Sequence, residues 1–420
     1  MKKANLVLAA ALAATAVSSV ATALLMPATA IAADAPKKAA AQQKIGPKMI
    51  KPLKSAQDAI SAKNWEVAIA SLTEAQAIEP KTPYEAFMVD ELGWYARLQV
   101  KDYKGAEESL ARAVSSGFVA EADVPQRIKA LAQINYQLQD YPKAVEYGNK
   151  YLAAVPGSAD VATLVAQSKY LQNDFAGARA MVDQITAGQD KPDEQLLLIG
   201  LRSSYEIKDR PAAVRSLETL VRHYPQTKYW EDLLTNQLYE TKSDRDLRAL
   251  YRLIVDTQTM NRPEEYAEAA ATLISGGFPT EAGKVLEQGI VAGAFQGEGL
   301  TRAKSDLDRA KAGADADRKE LPGADQALAA AKTGNEMVAM GKLFFSVGEY
   351  GKAADAIQKG LAKGGVTDPD DANMLTGIAY VRSGKTTESL ASFDAVKDPK
   401  LGEVARLWKL RVQTLEAPAG

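Results

Sequence analysis

The 420-residue chain contains no cysteine and a single histidine. The first absence excludes a disulfide framework, thiol chemistry and lipid attachment through a cysteine. The second leaves no imidazole pair for a metal or a catalytic relay, and no other cluster has metal-ligand spacing. No glycine-rich loop stands before a helix to cradle phosphate, so neither a cofactor nor a metal is expected. An excess of positive charge is also lacking: the net charge is -2, and -4 once Lys2 and Lys3 are set aside. That mild acidity argues against nucleic acid as a partner, because phosphate binding needs a basic surface that releases counterions. Aromatic residues make up only 7% of the chain. Alanine is abundant and valine and isoleucine runs are few, which favours helices packed at close range.

Only one stretch is long and apolar, and it stands at the start. Met1 to Ala32 reads as a secretory signal peptide, with Lys2 and Lys3 at the positive end and an apolar stretch from Leu6 to Val20. Ala30-Ile31-Ala32 supplies a small-x-small cleavage site before Ala33. Thr15, Ser18, Ser19 and Thr22 make the stretch too weakly apolar to favour a retained anchor. Residues 33–48 follow as a flexible leader. No later segment can span a bilayer, so the expected product is an exported, periplasmic chain without stable membrane insertion.

What the sequence does contain is a period. Ala68, Ala106, Ala144, Ala178, Ala213, Leu247, Ala282, Ala353 and Ser389 are separated by 38, 38, 34, 35, 34, 35, 71 and 36 residues. A fixed period of this size marks one supersecondary unit stacked many times. Around Ala68, the residues Trp65, Ile69, Leu72 and Ala75 recur at helical spacing, Lys63-Asn64 makes a turn before them, and Pro80 ends the helix. Each period therefore reads as a helix, a tight turn and an antiparallel helix, with small residues where the two cross.

The unit at Ala353 carries Gly341, Phe344, Phe345, Gly348, Tyr350, Lys352 and Ile357 around its marker. This pattern of small residue, aromatic, glycine turn and aromatic before alanine resembles the tetratricopeptide repeat. Tyr103 with Leu110, Tyr141 with Pro156, and Phe175 with Ala166 repeat parts of it. Arg210 and Asp244 replace the usual aromatic in two units. The resemblance implies an all-α, right-handed α-solenoid of stacked antiparallel helix pairs with a C-terminal capping helix. It places an N-terminal array at 49–292 (about seven pairs) and a second array at 334–398. Residues 399–420 form the capping helix and tail, with Leu401, Val404, Ala405, Trp408, Val412 and Leu415 on one apolar face. Between the arrays, residues 293–333 repeat Leu300, Leu307, Leu321 and Leu328 at multiples of seven, interrupted by Pro322-Gly323. They read as a degenerate alanine-rich helical insert whose thin stripe packs loosely, as a hinge would.

Catalysis finds little support. His223, followed by Tyr224-Pro225, reads as a helix-end residue. The acidic pairs Asp90-Glu91, Glu231-Asp232 and Asp370-Asp371 place neighbouring side chains about 100° apart on a helix, so they do not converge unaided.

The feature that invites a function is a ladder. Tyr136, Tyr170, Tyr205 and Tyr239 each precede their repeat's marker by eight residues, and Phe345 does so in the second array. Three residues earlier stand Gln133, Gln167, Arg202, Asn236 and Lys342. The resemblance implies that these two positions line the concave surface, as a trough for an extended peptide or a helix of a partner protein. The competing placement is the core, because Asn135, Lys169, Ser204 and Leu238 occupy the place of the family's packing aromatic. The expected function is a non-catalytic protein–protein interaction scaffold of the bacterial cell envelope. Its alternative is a carbohydrate-binding module in polysaccharide export or cell-wall assembly, since aromatic and amide side chains suit sugars as well.

Overall fold

A two-residue turn organises most of the repeats. In the computed structural model, which describes residues 43–416, Lys63, Lys101, Gln139, Asn173 and Lys208 all lie in the left-handed region, with φ between 56° and 64°. The residue after each is Asn64, Asp102, Asp140, Asp174 or Asp209, whose side chain accepts a backbone N–H three residues on. The first residue reverses the chain and the second caps the next helix. Later turns use Gly277, Gly348 and Gly384 for the same backbone conformation. A non-glycine residue there costs about 1–2 kcal/mol, partly offset by glycine's extra chain entropy of about 0.5–1 kcal/mol. Lys101→Gly is therefore expected to raise stability by about 0.5–1 kcal/mol, read as a higher urea midpoint; a lower midpoint would show that the lysine side chain contributes more than the backbone relief.

Among the described residues all regular structure is helical. The expected signal peptide, 1–32, and most of the leader lie outside them. Seven helix pairs come first: α1 (Pro47–Ser61) with α2 (Trp65–Ala77), α3 (Pro83–Gln99) with α4 (Tyr103–Ser115), α5 (Val124–Gln137) with α6 (Tyr141–Ala154), and α7 (Ala159–Leu171) with α8 (Phe175–Thr186). They continue as α9 (Glu194–Glu206) with α10 (Arg210–His223), α11 (Thr227–Glu240) with α12 (Asp244–Asp256), and α13 (Pro263–Ser275) with α14 (Pro279–Val291). A single long helix α15 (Gly297–Ala330) is followed by two more pairs, α16 (Gly334–Ser346) with α17 (Tyr350–Lys363) and α18 (Pro369–Arg382) with α19 (Thr386–Asp394). Helix α20 (Pro399–Glu416) comes last. Every marker residue is the fourth residue of its pair's second helix, and all nine are buried.

The described residues fall into two compact units, 43–164 and 165–416. In the first, Met49, Leu53, Leu72, Val89 and Leu92 form one core, and Trp94, Leu110, Leu131 and Ile134 form the next. Asp90 and Glu91 belong to this packing. Arg112 bonds Asp90, while the buried Arg127 bonds Glu91 and lies over the Trp94 ring, whose Nε1 also donates to Glu91. Their role is to join helices.

The second unit holds a small core of Ala166, Ala178, Val182, Leu196 and Ile199 and a large continuous one from Leu197 to Val412. Two of its elements stand apart from the helix pairs. Where the sequence reads as a degenerate alanine-rich helical insert, α15 runs as a single helix for 34 residues through Pro322 and Gly323. Ala303, Ala310, Ala314 and Ala324 are buried along it, and Leu300, Leu307, Leu321 and Leu328 pack on the core between them. Apart from one step of seven between Ala314 and Leu321, these positions alternate by three and four, a heptad seam laid against α13, α14 and α16. The stripe is thin, but it is buried rather than loose. Pro322 is accommodated within the helix, and no turn residue in the left-handed region reverses the chain between Gly297 and the end of α15.

Helix α20 also does more than cover the last pair. It packs on α18 and α19, and also on α10 and α12, which lie some 150 to 200 residues earlier. Trp408 Nε1 donates to the carbonyl of Ala249 at 3.0 Å, Arg411 bonds Asp256, and Arg406 bonds Glu218. Arg245 of α12 reaches Asp368 and Asp398 at the starts of α18 and α20. This part of the unit closes on itself, so the trough expected in the second array is filled by the chain's own core.

Candidate interaction surface

The closure decides which ladder residues can meet a partner. Phe345 is 0% exposed. It sits edge-to-face with Phe278 and Tyr350, under the guanidinium groups of Arg252 and Arg382. It is therefore a core residue, which corrects its placement in a groove. Lys342, half-buried, bonds Asp371 across to the next pair. In the second array the ladder positions are spent on packing.

Elsewhere they are not. Within the first unit, Tyr136 is half-buried and packs edge-on against Tyr141, the first residue of the following helix; Gln133 is half-buried one turn earlier. In the second unit Tyr170 packs in the same way on Phe175, beside the half-buried Gln167. The next repeat has Arg210 at the place of that aromatic, so Tyr205 lacks the packing partner and stands 44% exposed. Arg210 instead lies over the ring of Tyr239, with its guanidinium carbon 5.6 Å from the centroid, and bonds Glu240 and the carbonyl of Asn236. Tyr239 is 65% exposed. The Asn236 amide approaches the Tyr205 hydroxyl at 3.4 Å, and Arg202 is half-buried three residues before Tyr205. Ser204, in the family's packing place, is buried and bonds its own helix, as does the buried Asn135 in the earlier repeat. Helices α7, α9 and α11 thus carry tyrosine, amide and guanidinium groups, and Leu171 and Ile207 at the ends of the first two are exposed as well.

Beyond Tyr239 the surface drops into a cleft of about 380 Å³ between α11, α12 and the start of α13. Tyr239 and Tyr251 form two of its walls, and Arg262, Glu264, Glu265 and Glu268 line the third. Arg262 is spent on Glu265, whose carboxylate also accepts the backbone N–H groups of Asn261 and Arg262. Tyr251 donates to Glu268 at 2.7 Å, and burial followed by that carboxylate pushes its hydroxyl far above the usual tyrosine range. Sequence reading missed this cleft, because its residues come from three helices and share no spacing.

The other candidates for chemistry resolve into structure. His223 ends α10, and burial, then Arg222 and Lys191, hold its imidazole below the ordinary value. Glu231 accepts from Asn261, and Asp370 accepts the backbone N–H groups of Lys397 and Asp398. No group of metal-ligating side chains occurs among the described residues, and no helix there is long and apolar enough to cross a membrane.

Nine antiparallel pairs with one phase define an α-solenoid repeat protein. Residues 338–401 match the family model of the tetratricopeptide repeat, and residues 93–243 match that of an outer membrane lipoprotein. Residues 338–401 thus carry a tetratricopeptide repeat, and the helix pairs before them share its period; repeats of this kind are typical of protein–protein interaction scaffolds. Among solved structures, a chain from the Naa15/Naa10 complex bound to HypK-THB is similar at 16% identity over 86% of this chain, with a TM-score of 0.41. This chain spans only 61% of that one. A tetratricopeptide repeat protein from Parabacteroides merdae is similar at 14% identity over 79% of this chain and 99% of its own, with a TM-score of 0.33. For Pseudomonas aeruginosa PilF the identity is 18%, over 44% of this chain and 96% of its own, with a TM-score of 0.26. No curated protein matches.

Proposed function

We propose that the protein is an exported scaffold of the cell envelope that holds an extended segment of a partner protein across α7, α9 and α11. The observation that carries this reading is the exposure of Tyr205 and Tyr239, while Ser204 beside the first is buried and Leu238 beside the second packs on the core. Tyrosine offers a large contact area at low entropy cost, and the amides of Gln167 and Asn236 are suited to a peptide backbone. The envelope setting is supported by the character of residues 1–32 and by the lipoprotein-family match over 93–243. The lipid anchor in that family's description has no cysteine here to carry it.

The test is Tyr205→Ala combined with Tyr239→Ala. Partner capture from the organism's own envelope fraction by crosslinking, followed by titration of the captured partner, is expected to show affinity falling at least about tenfold. Each substitution lies on the surface and is expected to move stability by no more than about 0.5 kcal/mol. Parallel loss of melting temperature would assign the tyrosines to packing, and undiminished binding would remove the surface from the proposal.

A further inference from the structure

Within that docking surface, the cleft past Tyr239 specifies one residue of the partner. Glu264 and Glu268 lie one turn apart on α13, and like charges at this spacing disfavour a helix. Glu268 uses one oxygen for the Tyr251 hydroxyl, and its other oxygen has no partner among the described residues. The Glu264 carboxylate has none there either. Of the cations lining the cleft, Arg262 directs both Nε and Nη2 at Glu265, and the exposed Lys242 bonds no carboxylate among the described residues, so three glutamates face two positive charges. Across the cleft stands the Tyr239 ring, which already accepts one guanidinium, that of Arg210. A cation on an aliphatic stem satisfies all these surfaces together: its stem covers the ring, its charge meets the ring's negative face, and its N–H groups reach the two carboxylates. A volume of about 380 Å³ takes such a side chain with water to spare.

Resting on the peptide-docking reading above, we propose that this cleft receives a lysine or arginine side chain of the bound segment, seated on Tyr239 and paired with Glu264 and Glu268. The partner is thus a segment with apolar residues for the exposed tyrosines and a basic residue at the α13 end.

A phage-displayed random peptide library panned on the purified chain tests this. The expected peptides hold Lys or Arg at one fixed position. Glu264→Gln with Glu268→Gln should weaken a selected synthetic peptide about tenfold, an effect that shrinks at high salt. The amide oxygen introduced by Glu268→Gln can still accept from Tyr251, so melting should be unchanged. Panning on Glu264→Lys with Glu268→Lys should move the preference to Asp or Glu. Peptides that bind the wild type with a fixed acidic residue, or that ignore the glutamine variants, overturn the basic-residue assignment. Peptides that lose affinity in Tyr205→Ala yet ignore the glutamine variants sink the assignment alone. Peptides sensitive to the glutamines but indifferent to Tyr205→Ala sink the ladder reading and keep the cleft. A library that yields no binders overturns both.

Discussion

Trp408→Ala is expected to destabilise the second unit by about 3–5 kcal/mol, the range for emptying a buried tryptophan site. The ring is fully buried and stacks on Phe393, with centroids 6.1 Å apart and planes at 22°. Its Nε1 donates to the Ala249 carbonyl of α12, so one side chain ties the last helix to a helix 159 residues earlier. Trp408→Phe retains most of the apolar area and loses that hydrogen bond, for an expected cost nearer 1 kcal/mol. Urea unfolding gives the magnitudes; amide hydrogen exchange gives the location. Because α20 packs on α10 and α12 as well as on α18 and α19, the alanine variant should lose protection in α12 and in α19 together. Loss confined to α19 and α20 would reduce α20 to a plain end cap.

That closure was invisible in the sequence, and the reason is physical. The period of the repeat is local: alanine at the fourth position of most second helices lets two backbones approach within one unit, and the order of residues records it directly. The turns are similarly legible, since Lys101-Asp102 and Asn173-Asp174 combine a left-handed residue with a capping carboxylate. Contacts such as Trp408 with Ala249 depend on the summed rotation of nine helices, which no spacing encodes. The apolar face of α20 was readable, but not the surface it meets. The ladder divides along the same line. Tyr205 and Tyr239 stay exposed because their local partner is absent or is Arg210, whereas Phe345 is buried because helices distant in sequence converge on it. For α15, the leucine heptad was legible and the single unbroken helix was not, because Pro322-Gly323 resembles a break that the neighbouring packing overrides.

At the centre of the closed region, Glu281→Gln is expected to cost about 3–5 kcal/mol at neutral pH, the range for leaving buried charge without its partner. Glu281 is buried and accepts Arg252 Nε and Nη2 on one oxygen, at 2.9 and 2.7 Å, and Arg382 Nη1 on the other, at 2.6 Å. Burial alone would raise its carboxyl, but the two guanidiniums outweigh burial and hold it down to about 2, from an ordinary 4.5. A carboxylate with a depressed folded-state value contributes stability that is fully present above the unfolded value. That contribution fades as pH falls from about 4.5 toward 2, and the depression corresponds to about 3 kcal/mol. Wild type should therefore lose stability steeply across this window. The glutamine variant, lacking the titrating group, should lose less, so the difference between the two narrows with acid. Glu218→Gln supplies the contrast: its bond to the exposed Arg406 is a rim contact, worth no more than about 1 kcal/mol. Urea midpoints at pH 7, 4.5 and 2.5 for the three proteins decide the matter. A constant gap between wild type and Glu281→Gln would show that the carboxylate's charge does not hold α12, α14 and α18 together.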